Sequence, residues 1–155
     1  MTAESDALDD AVDAVLAASR ALVAVSARSI AGAKGVTLPQ YRMLVVLSTG
    51  SSTLTELAGQ LDVAPSTALR MVDRLEAAGL IERTVRPENR RETHLDLTTA
   101  GRRTVRTVTN RRRRDLRAVL ELIPDDRRDH VAQALSEFAT AAEHAWPSVA
   151  TTADL

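Results

Sequence analysis

Ser66, Thr67, Leu69, Arg70 and Arg74 are the residues of this chain best suited to touch a nucleic acid, and their spacing groups them. At about 100° per residue, Ala68, Met71, Val72 and Leu75 recur at i, i+3, i+4 and i+7 and form the inward side of a helix. Ser66, Leu69, Arg70 and Asp73 fall on the opposite side, with Thr67 and Arg74 on its flank. In a major groove Arg70 can fork to guanine O6 and N7, and Leu69 can touch a thymine methyl. An outward leucine is costly in water and has no structural purpose there. Ser66 and Thr67, at the helix start, are short donors suited to phosphate oxygens near a positive helix end. Arg74, a turn further on, suits backbone phosphate. The competing reading makes Arg70 a surface arginine paired with Asp73 or another neighbour.

A second group follows in Arg86-Pro87-Glu88-Asn89-Arg90-Arg91. Arg86, Arg90 and Arg91 load a short segment with guanidinium groups that its folding does not need. A minor groove narrowed by A·T sequence attracts such side chains through its enhanced negative potential. Asn89 can hold the turn by bonding its own backbone. The bland alternative is a charged hairpin kept soluble by arginine.

These residues need elements to hold them. Thr53-Leu54-Thr55-Glu56 has capping-box spacing ahead of Leu57, Ala58 and Leu61, which predicts a helix start. Asp62-Val63-Ala64 reads as a turn, and Pro65 suits a first helical position because its missing N–H would have been unpaired there. Gly79 ends this second helix. Leu80 to Val85 and Thr93 to Leu97 then read as strands flanking the arginine-rich tip. Helix, turn, helix, strand, basic loop and strand make a winged helix-turn-helix, so the expected fold is mainly α with a small β-wing. Double-stranded DNA is the expected partner.

The flanking segments are helical. Leu8, Val12, Val15, Leu16, Leu22, Val23 and Ser26 predict a first helix over about residues 5–31, ended by Gly32 and Gly35. Thr37-Leu38-Pro39-Gln40 opens a second, largely buried helix with Leu44, Val45 and Leu47. Thr98 can cap a helix over about 99–122, which Pro124 breaks. Val131, Leu135, Phe138 and Ala142 stripe a last helix over about 125–145. The expected organisation is a dimerisation helix in 1–36, a reader in 37–98 and dimerisation helices in 99–155, one structural domain overall. Apolar stripes at both ends of the chain predict a homodimer; a monomeric helical cover on the reader is the alternative.

The net charge of −1 hides an uneven distribution. Residues 1–69 carry −3, residues 70–117 carry +7 and residues 118–155 carry −5. A basic block between acidic ends suits docking one face on phosphates. No apolar run approaches the roughly 18 residues a membrane span needs. Glu4, Asp6, Asp9 and Asp10 are unlike the basic start of a signal peptide, so a cytoplasmic protein is expected. Without cysteine there is no disulfide framework and no thiolate metal site. His94, His130 and His144 read as single surface histidines, since none has the spacing of a helical metal site. No nucleophile–base pair or glycine-rich phosphate loop is visible, so neither an enzyme nor a cofactor is expected. Arg111-Arg112-Arg113-Arg114 sweeps most of the way around a helix, so at least one of the four should meet an acid, with Asp6, Asp9, Asp10 and Asp13 the candidates. Tyr41 is a candidate to line an effector pocket, with core packing the alternative. A helical interaction protein that keeps the fold without specific DNA binding stands as the competing function.

The run from Val63 to Ile81, the wing Arg86–Arg91 and Leu97-Thr98-Thr99-Ala100-Gly101 together resemble the multiple antibiotic resistance regulator (MarR) family, over about residues 37–123. The resemblance implies an obligate homodimer that reads a pseudo-palindrome and usually represses transcription. It also implies a small, often aromatic and anionic, effector that binds between the dimerisation and reader regions and releases DNA. Three positions depart from the family pattern. Ala64 stands where Ser is frequent, which weakens the helix cap. Leu69 stands where a polar residue is usual, which bears on base preference. Asn89 stands where Asp is common, which removes an acid partner for a wing arginine. The family's thiol-based peroxide sensing is excluded by the lack of cysteine.

Overall fold

The computed structural model describes residues 3–33, 35–86 and 89–146, with the side chains of residues 3, 4, 86 and 89–91 outside that description. Its helices start where sequence chemistry satisfies their first amides. Before α2 (Leu38–Thr49), the Thr37 hydroxyl accepts from the Gln40 N–H, and Gln40 Oε1 accepts from the Thr37 N–H at 2.9 Å. The same reciprocal pair opens α3 (Leu54–Leu61), where the Thr53 N–H reaches Glu56 Oε2 at 2.8 Å. Proline begins α4 (Pro65–Ala77). Gly79, at φ +69°, then turns the chain back through a conformation that side chains disfavour. The long helix α1 (Ala3–Ile30) precedes these, and α5 (Thr99–Glu121) and α6 (Asp125–Ala145) follow.

Three antiparallel strands, in the order β1-β3-β2, carry the wing: β1 (Ser52–Thr53), β2 (Ile81–Arg86) and β3 (Asn89–Leu97). Ile81 faces Leu97 and Val85 faces Thr93, and a register shift after Val85 sets Arg86 opposite Asn89. Two details differ from the sequence reading. β1 was not expected, because two residues show no alternation. β3 starts at Asn89 rather than Thr93, so Asn89, Arg90 and Arg91 stand on a strand instead of in a loop. Backbone hydrogen bonds extend a hairpin whatever the polarity of its side chains, and polarity was the only local signal.

One apolar cluster joins Met43, Leu44 and Leu47 of α2, Leu57 of α3, Val72 and Leu75 of α4, Ile81 and Leu97 of the sheet, and Val108 of α5. Each such side chain contributes about 1.5–3 kcal/mol on burial. Tyr41 belongs to this core, only 6% exposed, with its hydroxyl 3.0 Å from Thr109 Oγ1. The end helices are the opposite case. Leu8, Val12, Leu16 and Val23 of α1 are exposed, as are Leu135 and Phe138 of α6, and α6 buries no residue fully. Among the described residues, no helix is long and apolar enough to cross a membrane.

Where α1 meets α5, Ser29 Oγ donates to the Val25 carbonyl at 2.8 Å, and Arg111 Nη1 donates to the Ser29 carbonyl at 3.5 Å. The guanidinium occupies the space that a Cβ on Gly32 would take. The expected acid partner is therefore absent: among the described residues no member of Arg111–Arg114 makes an ion pair. Arg111 lies instead on the carbonyl end of α1, where the helix dipole favours a cation.

Gly101 shows how closely α5 approaches the reader, since a Cβ there would run into the Leu80 carbonyl oxygen. Thr98 stitches the same junction, its hydroxyl donating to the Gly79 carbonyl at 2.7 Å and accepting from the Gly101 N–H at 3.1 Å. A helical glycine replaced by alanine ordinarily gains stability, and Gly59 of α3, with open space around its Cβ position, should gain about 0.5–1 kcal/mol. Gly101→Ala should instead lose about 1–3 kcal/mol by overpacking. Urea unfolding midpoints that move the same way in both variants would contradict this packing.

Candidate nucleic-acid interface

The α3–α4 pair is held by backbone geometry at its turn. Asp62 adopts a left-handed conformation at φ 53°, which a short polar side chain tolerates. The Val63 N–H then reaches back to the Ala58 carbonyl at 3.0 Å. At the other end of α3, Ser52 of β1 pairs with Leu95, and its hydroxyl donates to Glu56 Oε2 at 3.3 Å. The helix-turn-helix is thereby tied to the sheet that carries the wing. Hydrogen bonds from the Thr53 backbone and side chain hold the Glu56 carboxyl below its usual pKa, with Ser52 and the charge of His94 acting in the same direction.

On α4, Ala68, Val72 and Leu75 are buried in the core and Met71 is half-buried, as their spacing requires. Ser66, Leu69, Arg70, Asp73 and Arg74 lie on the exposed side, and Thr67 is half-buried beside them. The helix start carries no side-chain cap, because Ala64 offers none. Its positive end therefore stays open to an anion.

Leu69 is 41% exposed and lines a cleft of about 190 Å³ with Leu54, Val72, Arg83, Thr93 and Leu95. The leucine thus borders an opening between α4 and the sheet, which helical periodicity alone could not show.

The suggested partner of Arg70 is already engaged. Asp73 Oδ1 lies 2.6 Å from Nη2 of Arg83, whose Nε is 3.4 Å from Glu76 Oε2. Among the described residues Arg70 makes no ion pair and remains on the surface. Sequence reasoning missed Arg83. Its only local signal is the Gly79 turn, which folds β2 back along α4.

The wing candidates Arg86, Asn89, Arg90 and Arg91 lie outside the described side chains. His130 and His144 are exposed, but His94 is half-buried on β3 rather than on the surface, with Nε2 3.8 Å from Glu92 Oε2. No group of potential metal ligands occurs among the described residues.

Two further clefts involve the end helices. One, of about 250 Å³, lies between the end of α1 and α5 and is lined by Gly32, Ala33, Arg103, Thr104, Thr107, Val108 and Arg111. Tyr41 is not part of it. The other, of about 420 Å³, is an apolar groove between Val15 and Leu22 of α1 and Val131, Leu135 and Phe138 of α6.

Comparison with known proteins gives a consistent picture. The MarR family model matches residues 36–93, from the start of the reader into β3. The crystal structure of RV1404 from Mycobacterium tuberculosis is 44% identical, with a TM-score of 0.80 over 87% of this chain and 93% of that one. The uncharacterized HTH-type transcriptional regulator YsmB of Bacillus subtilis is 31% identical over 107 residues, covering 68% of this chain and 73% of that protein. The HTH-type transcriptional repressor MdtR of the same organism is 32% identical over 111 residues, covering 71% and 72%.

Proposed function

The chain belongs to the MarR family of DNA-binding transcription regulators, and from that premise we propose that it is a homodimeric, ligand-responsive repressor of a pseudo-palindromic operator. The observation that carries the reading is the exposed row on α4, with Arg70 making no ion pair among the described residues and an open helix start beside Ser66 and Thr67. Ser66, Thr67 and Arg74 meet phosphate, and Arg70 and Leu69 meet base edges in the major groove. Arg86, Asn89, Arg90 and Arg91 serve the minor groove from the wing. Residues 37–98 form the reader, and residues 1–36 and 99–155 form the dimerisation region. The work is cytoplasmic, where the DNA is.

The homodimer reading is supported by the apolar surface that α1 and α6 leave uncovered, including Leu8 at 66% and Phe138 at 52% exposure. A second copy covers it symmetrically. The effector is a small, aromatic or anionic compound. The cleft beside Arg103 and Arg111 supports an anion better than Tyr41 does, because the tyrosine is packed in the core. The competing reading, a helical interaction protein without specific DNA binding, has no comparable support from the relatives.

Light scattering at micromolar concentration should return twice the chain mass of 16.7 kDa. Operators obtained by selection should hold half-sites about 10 base pairs apart, and inserting half a helical turn between them should abolish tight binding. A stable monomer, or affinity that survives the insertion, overturns the rigid pair of readers. For the effector, a panel of small aromatic carboxylates should contain compounds that weaken operator binding in wild type and do so less in Arg111→Ala. A panel that leaves the affinity unchanged argues against ligand control through that cleft.

Arg70→Ala and Arg91→Ala should fail in different ways. Loss of the bidentate base contact should cost about 1–3 kcal/mol and relax preference at one operator position. Loss of the wing arginine should weaken binding on many sequences alike and make the salt slope shallower by about one unit. Both variants should remain folded dimers. If both bind as wild type does, the basic block is only a solvated face and the interaction-protein reading replaces this one.

A further inference from the structure

Asp73 is out of place on a row that meets phosphates. It follows Arg70 by one turn and adjoins Arg74, and its side chain is 57% exposed. Duplex DNA carries about one negative charge per 1.7 Å of axis, so a bare carboxylate on that face would oppose docking. Glu76, three residues further along the same helix, adds a second acid at its edge.

Arg83 meets both. From β2 its guanidinium bridges Asp73 Oδ1 at 2.6 Å and Glu76 Oε2 at 3.4 Å, spanning one turn of α4. Its side chain also lines the cleft that Leu69, Val72 and Leu95 border. Exposed ion pairs contribute roughly 0–1 kcal/mol to stability, so folding gives little reason for this arrangement. Its larger effect is on charge and on geometry. It cancels an acid on the side of α4 turned toward DNA, and it clips the first strand of the wing to the recognition helix.

We propose that Arg83 is a positioning residue for DNA reading, masking Asp73 and Glu76 from phosphate so that the exposed row of α4 can dock. This inference rests on the DNA-facing row proposed above.

The test is a double-mutant cycle on the full-length dimer. The probe is the tightest duplex enriched by the wild-type chain from a random-sequence library. Arg83→Met keeps the apolar stem in the cleft and removes the charge, so it separates masking from packing. It should weaken binding by roughly tenfold, because an unmasked carboxylate now faces phosphate. Asp73→Asn alone should tighten binding a few-fold, since the arginine charge is no longer cancelled there. Asp73→Asn combined with Arg83→Met should recover most of the lost affinity, a rescue that a purely structural arginine cannot produce. Thermal unfolding should move little in any of the variants.

Three results would overturn the inference. The first is wild-type affinity in Arg83→Met. The second is a loss of affinity in Arg83→Met that Asp73→Asn does not rescue, with a salt slope shallower by about one unit, which marks a direct phosphate contact instead. Arg70→Ala with wild-type affinity removes the DNA-facing row itself, a distinguishable failure that takes this inference with it.

Discussion

The buried line of Ala68, Val72 and Leu75 on α4 decides the orientation of the rest of the reader. A helix with an apolar stripe has one low-energy way to meet a core, and its opposite side then faces water. That is why Ser66, Leu69, Arg70, Asp73 and Arg74 share one exposed row. Every other element of the reader either completes the core under that stripe or fixes the ends of the helix above it. α2 supplies Met43, Leu44 and Leu47 to the same core, and the α3 cap and the Asp62 turn set where α4 begins.

The far end of α4 is fixed with equal economy. Gly79 reverses the chain, Thr98 returns to the same point to bond its carbonyl, and the absence of a Cβ at Gly101 lets α5 lie against Leu80. Wing, recognition helix and the long helix α5 therefore meet at one junction. α5 also carries Arg111 to the carbonyl end of α1. A continuous chain of packed elements thus runs from the exposed row of the reader to the helix whose apolar surface is left open. In the proposed repressor a compound bound beside Arg111 would act on the presentation of the readers along this route. Coupling requires such an element to have two arrangements that effector and DNA favour differently.

The two ends of the chain follow different physics from the middle. In the reader, polar termini and buried stripes are balanced within one chain, so the core closes. In α1 and α6 the apolar residues outnumber the surfaces available to cover them. A groove lined by Val15, Leu22, Val131, Leu135 and Phe138 holds too little polar surface to be comfortable in water. The contrast between a closed central core, which α1 and α5 help to complete through Ile30, Val105 and Val108, and the open apolar faces of the end helices is thus a matter of local supply and demand for burial.

Much of this was readable from local chemistry. Thr37–Gln40 and Thr53–Glu56 announced helix starts because a capping box needs only four consecutive residues, and Pro65, Gly79 and Pro124 punctuated the chain because their backbone limits are intrinsic. The inward face of α4 followed from the helical period alone. Interactions between segments distant in sequence were hidden. Nothing near Arg83 marks it as the partner of Asp73 and Glu76, nothing in Leu69 tells which cleft it lines, and nothing in Arg111–Arg114 names the Ser29 carbonyl as the place where Arg111 rests. The short strand β1 and the early start of β3 were hidden for the same reason, since a strand exists only through the neighbour that pairs with it. The sequence by itself determined the helices, their caps and the face that α4 buries, because those depend on neighbours within a few residues. Only the tertiary structure decided which charges cancel, which strands pair and which apolar faces remain open, because each of those depends on what the folded chain brings alongside.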